Sequence, residues 1–151
     1  MDVIQRLRNN AEKLNRQLSE GVIISNIIYE NEAYIVDMNA GEQLYEQGVN
    51  NLCVSIMDYR PYSEITIEIK KAKGQPTNRV TLRDEGDFES SFFLEVGKES
   101  FEIKASDFKT EHLIKMYGRQ ILGLTDENLS TLIWQYIYPD LLEKTKEILY
   151  E

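Results

Sequence analysis

The side chains best suited to chemistry in this sequence are one histidine, one cysteine and a run of carboxylates. His112 follows Glu111, and Cys53 stands far from it in the sequence. A nucleophilic Cys–His pair or a structural zinc site needs further ligands or a local signature, and neither residue has one. A single cysteine is more often buried than catalytic. The sequence therefore predicts no catalytic residue, no metal ligand and no cofactor at these positions.

Four carboxylates lie within six residues: Asp84, Glu85, Asp87 and Glu89. Clustered acids can bind Ca²⁺ or act as an acid/base pair. A calcium loop needs ligands at regular alternating positions, and Phe88 interrupts this run. We therefore expect a solvated turn or the start of a helix. A hydrolase that uses this cluster with a tyrosine or His112 is the least favoured function.

Composition and charge describe a small acidic globular chain. The 151 residues include 17 basic and 26 acidic ones, which gives a net charge of −9. DNA binding, whether sequence-specific or non-specific, needs a basic face, so neither kind is expected. The longest apolar run, Val22–Tyr29, is too short to span a bilayer, and the polar start does not resemble a signal peptide. We expect one domain over residues 1–151, without membrane contact.

An amphipathic helix is predicted at the amino terminus, over about residues 2–20. Apolar residues recur there at spacings of three and four, namely Ile4, Leu7, Ala11, Leu14 and Leu18. Basic residues lie off this stripe. Gly21 either ends the helix or lets it continue to residue 29, and Val22–Ile28 is apolar enough for a buried second helix. The stripe packs either on the chain's own core or on a neighbouring subunit.

The middle of the chain contains short candidate elements. Glu32–Met38 has the length and apolar content of a strand. Asn39 is placed to cap a helix over residues 42–47, with Glu42 completing a capping box.

Residues 65–70 have two interpretations. Isoleucines alternate with polar residues, which is strand periodicity. Ser63 could instead cap a helix that Gly74 ends. The choice between helix and strand stays open.

The last third of the chain contains a hairpin and two helices. Phe92–Val96 and residues 100–105 flank Gly97-Lys98, a pattern typical of a β-hairpin. Thr110 and Thr125 are predicted helix caps, Gly118 a helix end and Pro139 a kink or restart. We therefore predict an α+β fold, in which a small antiparallel sheet packs against amino- and carboxy-terminal helices.

One segment, residues 79–92, has a more specific pattern than the rest of the chain, carried by Leu82, Gly86, Phe88, Ser91 and Phe92. In residue type and spacing these positions resemble a motif that reads Leu, two residues, Thr-Gly, one residue, Leu, two residues and Ser-Ile. That motif belongs to the tail-completion and virion-morphogenesis proteins of tailed bacteriophages. Glu85 departs, because the family usually has Thr there. The residues from Tyr62 to Gly74 resemble the helix that precedes this motif, and the likeness covers about residues 40 to 149.

The resemblance implies a structural protein of the phage neck or head–tail joint. Copies would form a ring between portal or adaptor proteins and tail proteins, assembled in the host cytoplasm and carried in the virion. DNA would pass through the ring, and an acidic lumen would not hold it. The alternative outside this family is a small bacterial binding or regulatory module.

The carboxy-terminal helix carries a second candidate interface. Trp134 and Tyr138 are four residues apart and share a face that differs from that of Tyr136. Large amphipathic side chains of this kind are enriched at protein interfaces. The candidate subunit contacts are Ile4, Leu7, Leu14, Leu18, Trp134 and Tyr138.

Overall fold

A computed structural model describes residues 2–151 and shows an α+β fold. Helix α1 spans Val3–Ser19, and the carboxylate of Asp2 caps it by accepting from the N–H of Gln5 at 2.7 Å. Gly21 then adopts a left-handed conformation with φ of 74°. Helix α2, Val22–Glu30, begins after it. Gly21 therefore separates two helices, and the first does not continue to residue 29.

Helix α3, Glu32–Asp37, runs directly into a π-helical segment, Met38–Gln47. The strand predicted over Glu32–Met38 is therefore wrong. The helix cap predicted at Asn39 is also wrong, because this residue lies inside the helical stretch and is fully buried. Ile35 and Met38 are three residues apart and both are buried in the core, which is helical spacing and not the alternation of a strand.

Two buried amides of the first π segment tie it to the loop before the last helices. The Asn39 side chain donates to the carbonyl of Ile121 at 3.0 Å and accepts from the N–H of Gly123 at 2.8 Å. Gln43 donates to the carbonyl of Gly123 at 2.9 Å and accepts from the N–H of Thr125 at 2.9 Å. Both side chains are thus satisfied away from water, as buried amides must be.

The open choice over residues 65–70 is resolved as a helix. Helix α4 spans Glu64–Ala72, and the Ser63 hydroxyl caps it by accepting from the N–H of Thr66 at 3.2 Å. Lys70 is buried on this helix and donates to the carbonyl of Arg83. Ile65 remains exposed. The local cap therefore outweighs the strand-like alternation of isoleucines.

The predicted hairpin is confirmed. Strand β1, Phe92–Val96, pairs antiparallel with strand β2, Phe101–Ala105, in the register Leu94↔Ile103. A short helix, α5, Asp87–Ser90, leads into β1. One face of the hairpin packs on the core, because Phe92, Leu94 and Ile103 are buried.

The carboxy-terminal third is helical. Helix α6, Thr110–Tyr117, ends at Gly118 as predicted, but the Thr110 hydroxyl donates to the carbonyl of Asp107 at 2.7 Å and is not the cap. Helix α7, Asp126–Thr131, is capped by Thr125. A second π segment, Leu132–Ile137, leads into helix α8, Tyr138–Tyr150, where Pro139 lies in the first turn.

The main core joins both π segments, the hairpin and the loops between them. Its fully buried members are Ile35, Leu44, Ile56, Val80, Ile121 and Leu132. A smaller cluster under the terminal helices contains Leu14, Ile23 and Ile27, packed by residues of α8. Terminal helices therefore flank a small sheet, as the sequence predicted.

Candidate docking surfaces

The first two turns of α1 are exposed on every side. All side chains from Asp2 to Asn9 are exposed, including Val3 at 62% and Ile4 at 73%. The anchor of this helix lies further along, where the Asn10 side chain donates to the carbonyl of Leu149 at 3.1 Å. The apolar start of α1 therefore extends away from the body of the protein.

The predicted amino-terminal stripe is divided by the fold. Leu14 is buried in the small cluster under α8, so its assignment as a subunit contact is corrected to a core role. Leu7 and Leu18 are each 39% exposed. The available part of the stripe is therefore Val3, Ile4, Leu7 and Leu18.

Helix α1 is basic within an acidic protein. It carries four basic residues, Arg6, Arg8, Lys13 and Arg16, against one acidic residue, Glu12. Lys13 forms an ion pair with Glu151 at 2.8 Å. The net charge of the whole chain is −9, so this helix suits an acidic partner surface.

Trp134 and Tyr138 form an exposed aromatic pair. Their ring centroids lie 5.5 Å apart in an edge-to-face arrangement, and the residues are 65% and 45% exposed. Tyr136, between them in sequence, turns inward against Tyr34 with ring centroids 4.0 Å apart. The prediction that these aromatics occupy two different faces is therefore confirmed.

The motif of residues 82–92 forms a corner in front of the hairpin. Gly86 has a φ of 92° and precedes α5, the backbone geometry expected of a glycine at a tight turn. Phe88 is buried and packs edge-on against Phe92, with centroids 4.9 Å apart. The Ser91 hydroxyl donates to the carbonyl of Phe88 at 2.7 Å. Leu82 precedes this corner with a left-handed φ of 58°. These contacts support a folding role.

The acidic residues around this corner lie in different surroundings. Asp84 pairs with Lys73, and the pKa of Asp84 is lowered by its hydrogen bond to that lysine. Glu89 is buried, and burial raises the pKa of its carboxyl. Arg83 lies 3.7 Å from Glu89, but neither carboxylate oxygen has a hydrogen-bond partner among the described residues.

The histidine and the cysteine lie on the surface, far apart in the sequence. His112 is exposed on α6, and Cys53 is exposed in a turn where its φ is 59°. The expectation that Cys53 is buried is wrong. The side chain of Asn50 builds this turn by accepting from the N–H groups of Leu52 and Val54. Within residues 2–151, no three His, Cys, Asp or Glu side chains are grouped so as to hold a metal ion.

A groove of about 1,200 Å³ lies along the hairpin and was not predicted from the sequence. Helix α2, the second π segment and the loop after α6 supply its apolar lining, namely Ile24, Ile28, Leu122, Leu124, Ile133 and Ile137. All of strand β2 borders it. Because these residues come from distant parts of the chain, no local pattern indicates the groove.

Comparison with known proteins gives no relative. No protein-family model, no curated protein and no solved structure matches the chain. Among residues 2–151, no helix has the length and apolar content needed to cross a bilayer.

Proposed function

We propose that this chain is a structural protein that docks onto other protein subunits in the neck or head–tail joint of a tailed phage particle. The observation that carries the docking role is the exposure of apolar side chains on both terminal helices. Val3 and Ile4 project from α1, and Trp134 and Tyr138 form a pair across the junction between the second π segment and α8. The placement in a phage particle is supported by the resemblance of residues 79–92 described above.

Two different apolar faces suit a ring of identical copies. A ring closes through head-to-tail contacts, in which one face of each subunit meets another face of its neighbour. The basic α1 and the aromatic pair provide such a set of unlike surfaces. The net charge of −9 keeps DNA from adhering to the protein lining of the channel that it passes through, because like charges repel over a Debye length of roughly 8 Å.

The test is to look for the protein in purified particles. Mass spectrometry of virions from a phage that encodes this chain should find it in several copies per particle. Chemical cross-linking should join Lys13 or Lys144, near the terminal-helix surfaces, to portal, adaptor or tail proteins. Virions that lack the chain altogether would contradict the proposal.

A small binding or regulatory module, monomeric or dimeric, is the second candidate, and the groove is the observation that favours it. Its volume of about 1,200 Å³ lies slightly above the usual range of ligand pockets, about 300–1,000 Å³, and its lining is largely apolar, as is typical of such pockets. In that case small apolar ligands would raise the melting temperature of the free protein. A docking protein shows no such shift and is recovered in particles.

A further inference from the structure

The two edges of the hairpin differ in how the rest of the protein packs against them. Helices α2 and α3 pack against β1, and the Glu32 carboxylate accepts from the outward N–H of Leu94 at 3.0 Å. Strand β2 has no comparable neighbour among the described elements other than β1. One edge is therefore covered, and the other is open.

The pairing pattern shows which groups of β2 face outward. The N–H of Gly97 donates to the carbonyl of Ser100 at 2.7 Å, and the N–H of Ser106 donates to that of Ser91 at 3.2 Å. Bonded pairs alternate along an antiparallel ladder, so residues 100, 102, 104 and 106 point their backbone groups at β1. Phe101, Ile103 and Ala105 therefore point theirs away from it.

These outward groups are largely unpaired. Within residues 2–151, no hydrogen bond reaches the outward N–H or C=O of Phe101 or Ile103, and the carbonyl of Ala105 has only a 3.5 Å contact with the Thr110 hydroxyl. An open strand edge is a template for another strand. The partner that satisfies alternating donors and acceptors is an extended polypeptide.

We propose that β2 of a second copy of this chain occupies this edge, in an antiparallel pair about a two-fold axis at Ile103. Only registers that place odd-numbered residues opposite each other can form hydrogen bonds, because only those residues face outward. Centring on residue 102 opposes the two copies of Glu102, and centring on residue 104 opposes the two copies of Lys104. Centring on Ile103 opposes Glu102 to Lys104 of the second copy, twice.

The charged side chains of a single hairpin favour this register. Within one hairpin, Glu95 and Glu102 lie directly opposite each other, and Lys104 contacts both carboxylates. Like charges directly opposite on a sheet destabilise it. In the two-fold pair each Glu102 gains Lys104 of the second copy as its direct neighbour.

The apolar face is complementary in the same register. Phe101 stands opposite Ala105 of the second copy, a large residue against a small one, and the two copies of Ile103 meet at the axis. A two-fold axis perpendicular to the sheet keeps both apolar faces on the same side. The added strand then lies over the groove that β2 borders.

This pairing goes beyond the proposed function and does not rest on it. A two-fold contact is not the head-to-tail contact of a ring, so it describes the free subunit. Its test uses purified protein alone and needs no particles. If this chain is absent from virions, the proposed function is contradicted, but the proposal of a two-fold pair is not.

Sedimentation equilibrium with reversed charges tests the pairing. Wild-type protein should show a monomer–dimer equilibrium at concentrations up to about 1 mM. Lys104→Glu and Glu102→Lys should each weaken dimerisation about tenfold, because each makes both symmetric pairs repulsive. The swap Glu102→Lys/Lys104→Glu should restore the wild-type dissociation constant, and so should an equimolar mixture of the two single variants.

Circular dichroism melts of all variants ensure that folded proteins are compared, and either single variant suffices if the other unfolds. A wild-type protein that stays monomeric at every concentration overturns the proposal. So does a dimer whose dissociation constant is the same in the single variants, or one that the swap fails to restore.

Discussion

Each π-helical segment carries a pair of residues spaced four apart. In the first segment the pair is Asn39 and Gln43. In the second it is Trp134 and the residue that begins α8, Tyr138. The amide pair is fully buried and makes five hydrogen bonds to the loop and helix start between Ile121 and Asn128. The aromatic pair is 65% and 45% exposed, and its two rings pack edge-to-face against each other. The usual distribution of polar and apolar side chains is reversed at these two places.

This reversal separates residues that hold the fold from residues that are free to bind. A buried amide with all its partners fixes one arrangement of the chain, since any other arrangement leaves polar groups unpaired. An exposed tryptophan–tyrosine pair adds little to the stability of the free protein and offers a large contact area to a partner. Substitutions at the two places should therefore affect different measurements.

The largest loss of stability is expected at the amide pair. Gln43→Ala leaves the carbonyl of Gly123, the N–H of Thr125 and the side chain of Asn128 without their partner. At about 1–3 kcal/mol for a buried group left unpaired, the free energy of unfolding should fall by about 3 kcal/mol or more. Urea denaturation measures it.

Gln135 provides the matched control, because it is an exposed glutamine in the second π segment. Gln135→Ala should change the unfolding free energy by less than about 0.5 kcal/mol. Equal effects at Gln43 and Gln135 would show that the buried amide does not hold the fold.

A smaller loss is expected at the corner before the hairpin. Gly86→Val should lower the free energy of unfolding by about 1–3 kcal/mol, because a β-branched residue is strained at a φ of 92°. A Cβ at this position meets no atom within 4 Å, so the loss comes from the backbone and not from a clash. Gly86→Asn, which tolerates left-handed backbone, should lose much less. A valine variant as stable as wild type would contradict the strained geometry.

A pH-dependent effect is expected at Glu89. Burial raises the pKa of this carboxyl above its ordinary value of 4.5, so the folded state binds the proton more tightly than the unfolded state. The stabilising contribution is complete below pH 4.5 and is lost as the pH rises through the raised value. Glu89→Gln should therefore gain stability relative to wild type between about pH 4.5 and neutrality.

Thermal melts across this pH range measure the difference. Glu85→Gln is the control, because Glu85 is an exposed acid near the same corner. A difference between Glu89→Gln and wild type that stays constant with pH would contradict the raised pKa.

The sequence was sufficient to predict those features of the fold whose signal lies in neighbouring residues. The Thr125 cap, the Gly118 helix end and the Gly97 hairpin turn all depend on neighbouring residues, and the structure confirms them. The strand predicted over Glu32–Met38 failed because seven residues do not distinguish a short buried strand from a helical turn. The Asn39 cap failed because its true partners, Ile121 and Gly123, lie more than 80 residues away.

The candidate surfaces were predicted in part. The separation of Trp134 and Tyr138 from Tyr136 follows from helical spacing, and the structure confirms it. The sequence left open whether the amino-terminal stripe packs on the core or on a neighbouring subunit. The structure divides it, because Leu14 is buried while Leu7 and Leu18 are partly exposed. The groove and the open edge of β2 arise from tertiary packing, which no spacing within one element reports.

The smallest effect on stability is expected at the aromatic pair. Trp134→Ser/Tyr138→Ser removes one edge-to-face contact between exposed rings, worth about 0.5–1.5 kcal/mol. Tyr136→Ser is the contrasting variant, because Tyr136 packs inward on Tyr34 and its loss should destabilise the fold more.

The most direct measurement compares folding with assembly for Trp134→Ser/Tyr138→Ser. Phage particles are produced with this variant as the only copy of the protein, and its amount per particle is measured by mass spectrometry beside the melting temperature of the purified protein. We expect a folded protein with a melting temperature close to that of wild type and little or no incorporation. A variant that enters particles as well as wild type, or one that no longer folds, would contradict the assignment of this pair to a neighbouring subunit.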